Sequence, residues 1–249
     1  MPDSAWLILA ALGAGILNTI AGGGTFLTFP ALVFIGVPPV MANATSAVAV
    51  FPGYLGGALG FRKELQAFDR PTLIRLVGIT LAGGLAGSLL LLVSSNEAFS
   101  LVVPFLLLAA TLVFLLGDRI RVWAAKHSRS VTPFGSAGLF ATSVYGGYFN
   151  GGLGIVLLAP FALWGMTNIH TMNGLKTALS FALSAISVVT FAAAGIVAWP
   201  QAIIMMVAST VGGYLGAPIA RALPIKVVRG IVAAVGFGMS LIFFVRLVR

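Results

Sequence analysis

Cysteine is absent from this chain of 249 residues, and acids are scarce, five against fourteen Lys and Arg. Without cysteine there is no disulfide, no thiolate metal site and no cysteine nucleophile. The acids, Asp3, Glu64, Asp69, Glu97 and Asp118, all fall in polar connections, so no carboxylate relay for protons runs through an apolar segment. Both histidines, His127 and His170, also fall in connections. Ser136 therefore has no base at membrane depth, and nothing supplies a buried metal-ligand set, which argues against an intramembrane enzyme and against any cofactor. No P-loop is present, so ATP is not the energy source within this chain. What the chain has in excess is apolar surface: 59% hydrophobic residues, 8% charged residues and a mean hydropathy of +1.10. Ordinary soluble domains do not reach these values. Its solvent is a lipid bilayer, and the net charge of +9 reads as basic loops facing an anionic cytoplasmic leaflet, not as a nucleic-acid surface.

Apolar runs between polar punctuation lie near 5–35, 40–60, 72–93, 99–116, 135–164, 172–193, 201–220 and 227–246. The expected fold is all-α, a polytopic transmembrane helical bundle occupying 1–249 as one domain. Two runs, 5–35 and 135–164, are longer than the others. The first is broken by Gly22, Gly23 and Gly24 and the second by Gly151, Gly152 and Gly154. Clustered glycines disfavour continuous helix and free backbone groups that a bilayer tolerates only inside protein or beside a cavity. The two broken runs also match each other. Gly22 and Gly152, Gly24 and Gly154, Pro30 and Pro160, and Asn43 and Asn173 are each separated by 130 positions, while Gly83, Gly84 and Gly87 match Gly212, Gly213 and Gly216 at 129. Such ordered agreement predicts an internal duplication, with repeat 1 over about 5–116, a basic connection over 117–134 and repeat 2 over about 135–246.

Orientation follows from the basic residues. The connections 61–71, 117–132 and 221–229 are rich in Lys and Arg, whereas 94–99 and 194–200 have none, so the first three are expected on the cytoplasmic side. Eight plain spans cannot place 61–71 and 221–229 on the same side. Treating each glycine-broken run as a re-entrant hairpin resolves the conflict and leaves only Lys176, Arg246 and Arg249 outside the cytoplasmic basic set. It also makes the halves inverted repeats, an arrangement common in secondary transporters.

The stretch GAGILNTIAGGGTFLTFPALVFIGVPPVMANATSAVAV, with its partner YGGYFNGGLGIVLLAPFALWGM followed by MNGLKTALSFALSAIS, resembles the sulfite exporter TauE/SafE family of membrane transporters over nearly the full chain. The resemblance implies a multi-pass protein of the cytoplasmic membrane that moves small sulfur-containing anions, such as sulfite, sulfoacetate or other organosulfonates, with export as the expected direction. A passive anion channel using the same site is the alternative. Glycine-rich faces would also permit a homodimer.

A helix that begins inside a membrane presents N–H groups and a positive dipole end, which together attract an anion without any charged side chain. Two such beginnings are expected, at Thr25 and at Ile155. The candidate substrate-binding residues are therefore Gly22, Gly23, Gly24, Thr25, Asn43, Ser46, Asn150, Gly152, Gly154, Asn173 and Lys176. Each has a structural reading beside the functional one. The glycines would serve tight helix crossing, as Gly53, Gly57, Gly83, Gly87, Gly212 and Gly216 are expected to do. The polar side chains, together with Asn18 and Thr45, would cap helices or bind freed backbone groups. Lys176 is the one charged residue well inside an apolar run; its ammonium either meets an anionic substrate or snorkels to the interface.

Overall fold

A computed structural model describes residues 3–20, 23–60, 62–126, 135–222 and 225–248. Within them the chain forms helices and no strand: α1 (Asp3–Ile20), α2 (Thr25–Phe34), α3 (Pro39–Gly60), α4 (Arg62–Leu65), α5 (Arg70–Val93), α6 (Asn96–Lys126), α7 (Ser136–Tyr148), α8 (Leu153–Val156), α9 (Leu158–Leu163), α10 (Ile169–Ala193), α11 (Trp199–Ala222) and α12 (Ile225–Val248). The all-helical expectation holds, and the predicted breaks fall where the glycines stand. One boundary differs. α6 continues to Lys126 and so takes up the first part of the basic connection placed at 117–134, because 117–126 contains good helix formers and no proline to stop it.

Polar residues set the helix starts. Asp69 caps α5 by accepting from the Thr72 N–H at 3.0 Å, with Pro71 in the first turn, where its missing N–H costs nothing. Asn168 caps α10 through the N–H groups of His170 and Thr171. Among the described residues, three segments are long and apolar enough to cross a membrane: Arg70–Val93, Asn96–Val113 and His170–Ala193. Large apolar side chains such as Leu89, Leu90, Val93, Val207, Val211 and Leu241 stand exposed on the outside of the bundle. A surface of this kind suits acyl chains and not water. The protein is a multi-pass membrane protein.

Glycines let the long helices approach one another. A methyl group built on Gly83 would lie 2.7 Å from Ser143 Cβ and 2.8 Å from the Phe140 carbonyl oxygen, and at Gly87 it would collide with the Val144 carbonyl. These residues seat α5 on α7. Gly212 does the same for α11 against the Leu12 carbonyl of α1, so the packing expectation holds at all three positions. It does not hold at Gly53, which has nothing within 4 Å of a built Cβ. The side chains around positions 57 and 216 lie outside the described set.

Among the described residues α1 to α6 precede the basic connection and α7 to α12 follow it, with short helices at α4 in the first set and at α8 and α9 in the second. The extensive contacts exchange between halves: α1 packs on α11 and α7 on α5, α3 touches both α10 and α11, and α10 touches both α3 and α5. Where α3 meets α10, Phe51 stacks on Phe181 with ring centroids 5.3 Å apart and planes at 13°. These two residues carry the same 130-position offset as the glycine matches.

Candidate functional site

The first break joins α1 to α2. Gly22 lies outside the described residues. Gly24 donates its N–H to Asn18 Oδ1 at 2.8 Å, and a Cβ there would lie 2.6 Å from the Ala14 carbonyl and 2.7 Å from Asn18 Nδ2. Gly24 is thus pressed against α1, which is the packing role, and Asn18 satisfies freed backbone. The carbonyls of Gly23 and Gly24 accept from the N–H groups of Phe26, Leu27 and Thr28, which leaves less of this helix start open than an uncapped terminus would offer. Thr25 is buried. Ser46 is engaged: its hydroxyl meets Thr28 Oγ1 at 2.6 Å and ties α3 to α2. Thr45 accepts from the Ala198 N–H at 3.0 Å. Asn18, Thr45 and Ser46 thus each hold a hydrogen bond within the protein.

The second break is built differently. After α7, Asn150 and Gly152 both take left-handed backbone, with φ of 61° and 68°. Glycine does so freely and asparagine at modest cost. α8 then begins at Leu153, two residues earlier than the expected start at Ile155, because the Leu153 N–H can reach the Asn150 carbonyl once these left-handed residues turn the chain. Gly154 is buried inside this four-residue helix, and Leu157 interrupts the path before α9. Tyr145 donates its hydroxyl to the Gly151 carbonyl. Asn43 on α3 reaches across to donate Nδ2 to the Tyr148 carbonyl at 2.8 Å.

The two breaks meet. A Cβ built on Gly152 would lie 3.3 Å from the Phe26 ring in the first turn of α2 and 3.6 Å from Ala110 Cβ. Phe29 of α2 packs with Phe99, Phe149 and Phe243 at centroid distances of 6.2, 5.8 and 5.9 Å. All four are buried. Several buried polar atoms have no hydrogen-bond partner: Asn43 Oδ1 on α3, both side-chain atoms of Asn150 at the second break, and the hydroxyls of Ser180 and Ser184 on α10. Their residues are between 0% and 3% exposed. Such atoms are rare in folded proteins and each calls for a reason.

Asn173 and Lys176 lie on the α10 face that carries Thr177, Ser180, Ser184 and Ser187, residues repeating at three- and four-residue steps. Lys176 is partly buried there. Thr177 bonds back to the Asn173 carbonyl at 2.7 Å, and Ser187 receives the Ser88 hydroxyl at 2.9 Å beside Gly147. Of this stripe Ser180, Ser184 and Ser187 are not among the sequence candidates, although their three- and four-residue spacing is legible in the sequence. A groove of about 640 Å³ between α5 and α7, lined by Arg75, Gly78, Ile79, Ala82, Ser136, Ala137 and Phe140, touches none of the candidate residues. No cluster of His, Asp or Glu suited to a metal occurs among the described residues.

Residues 7–243 match the family model described as Sulfite exporter TauE/SafE. The chain is 29% identical to a "Probable membrane transporter protein" of Haemophilus influenzae over 91% of this chain and 89% of that one. It is 27% identical to "Probable membrane transporter protein ORF9" of a Sinorhizobium species, covering 95% and 90% respectively, and 25% identical to "Probable membrane transporter protein YfcA" of Escherichia coli K12, covering 94% and 87%. No solved structure matches the chain.

Proposed function

The chain belongs to the sulfite exporter TauE/SafE family, and we propose that it is a secondary transporter, working as an exporter, of small sulfur-containing anions across the cytoplasmic membrane. The observation that carries the reading is the meeting of the two helix breaks, Gly152 against Phe26, with Asn150 of the second break buried and both its side-chain amide atoms unpartnered. A site of this kind offers a desolvated anion hydrogen bonds and helix-start dipoles without a fixed carboxylate to repel it. Lys176, on the same α10 face as Ser180 and Ser184, supplies the positive charge.

The same reading takes the breaks as re-entrant hairpins. Trp6 at the start of α1 packs on Phe34 at the end of α2 with centroids 6.4 Å apart, and Gly138 near the start of α7 approaches Pro160 in α9; both pairs support a chain that doubles back. It takes the halves as inverted repeats within one transporter domain. Two contacts favour this: Phe51 stacked on its own equivalent Phe181, as expected beside a two-fold axis, and Thr45 near the start of α3 bonded to Ala198 just past the end of α10, as expected if equivalent helices run antiparallel.

Counterflow in proteoliposomes tests the function. Vesicles preloaded with unlabelled sulfite should transiently accumulate labelled sulfite above equilibrium, and excess sulfoacetate should suppress the overshoot. Saturable uptake without counterflow would favour the channel, and no sulfite flux at all would remove the sulfur-anion reading.

A further inference from the structure

Asn43 is held in one orientation. The Tyr148 carbonyl can only accept, so the Asn43 amide must turn Nδ2 toward it, which it does at 2.8 Å. Oδ1 then points away with no partner, in a residue that is 2% exposed. An anion cannot satisfy this atom, because a carboxamide oxygen accepts and repels the oxygens of a sulfonate. Asn150, two residues beyond Tyr148 and 3% exposed, has neither Oδ1 nor Nδ2 engaged; its amide is free to present Nδ2. The place therefore pairs one fixed acceptor, Asn43 Oδ1, with an adjustable donor, Asn150 Nδ2.

We propose that Asn43 and Asn150 form a binding site for a monoanion that itself carries a hydrogen-bond donor, such as a hydroxyl or ammonium group placed a short distance from its sulfonate. Asn43 Oδ1 accepts the ligand's donor, and Asn150 Nδ2 donates to the anionic oxygens. This rests on the transporter reading above and adds to it a selectivity rule: a bare anion leaves Asn43 Oδ1 buried and unsatisfied, which costs binding.

The test compares two competitors that differ by one hydroxyl, 2-hydroxyethanesulfonate and ethanesulfonate, against counterflow of labelled sulfite by the full-length protein in vesicles. The wild-type protein should be inhibited by the hydroxylated competitor at a concentration about three- to tenfold lower, the range that one neutral hydrogen bond contributes. In Asn43→Ala the ratio should fall to about one. Asn150→Gly keeps the left-handed backbone that position 150 needs and should weaken both competitors alike, preserving the ratio. Equal inhibition by the two competitors in wild type would overturn the proposal while leaving the transporter reading intact, and this comparison requires no variant to fold. An unchanged ratio in a functional Asn43→Ala protein would overturn it as well, as would an absolute requirement for Na⁺, which would assign the amide oxygens to a cation. Absence of any sulfite counterflow would instead remove the underlying reading.

Discussion

Gly152 is the point where the left-handed turn of the second break and the contact between the breaks coincide, so Gly152→Ala should be costly out of proportion to one methyl group. With φ at 68°, an L-residue pays about 1–2 kcal/mol for the left-handed conformation. The new Cβ would also stand 3.3 Å from Phe26 Cε2, and Phe26, 1% exposed, has little room to retreat. Overpacking in such a place costs roughly 1–3 kcal/mol, giving a total of about 2–5 kcal/mol. The two contributions separate in a double-mutant cycle with Phe26→Leu. Trimming the ring relieves the clash but not the backbone strain, so the pair should be more stable than the sum of the single variants by about 0.5–3 kcal/mol. Unfolding by SDS titration, followed by circular dichroism, reads all four corners. A Gly152→Ala protein as stable as wild type would refute the backbone argument, and an additive cycle would show that the breaks do not press on one another.

Other outcomes follow from the same geometry. Lys176→Met keeps most of the stem's volume and removes the charge; if the ammonium meets the substrate, sulfite affinity measured by ligand-dependent thermal stabilisation should fall about ten- to more than a hundredfold, and unaltered affinity and rate would make Lys176 an interfacial anchor. For the topology, a cysteine placed at Asp3 should label from outside the cell and one at Ile225 should not, and the reverse would restore eight plain spans. At the start of α5, hydrogen bonds from the Thr72 side chain and N–H hold the Asp69 carboxyl below the usual range, so its capping contribution is present above the unfolded-state pKa and is lost as pH falls through the lower folded value. The stability gap between wild type and Asp69→Ala, read as a difference in Tm, should therefore close on acidification, and a gap that widens would contradict the cap.

Some expectations changed on contact with the structure for a common reason. Gly24 and Gly154 were matched by offset and assigned equal roles, yet Gly24 is wedged against the Ala14 carbonyl and Asn18, whereas the left-handed turn of the second break belongs to Asn150 and Gly152. Gly24→Val would accordingly disturb the seat of α2 on α1 and cannot serve as a clean probe of substrate approach. Ser46 was a candidate ligand and proves to be bonded to Thr28. Ser180 and Ser184 differ from Thr177 and Thr190, whose hydroxyls bond back one turn, in that theirs have no partner.

The sequence by itself determined the solvent, the helical class and the neighbourhood of both breaks, because these depend on composition and on glycine spacing, which are local or additive along the chain. Only the tertiary structure decided which polar groups are already satisfied. Whether an Asn or Ser is engaged depends on a carbonyl that arrives from another helix, as the Tyr148 carbonyl, 105 residues away in the chain, reaches Asn43, and no pattern along one strand of sequence encodes that meeting.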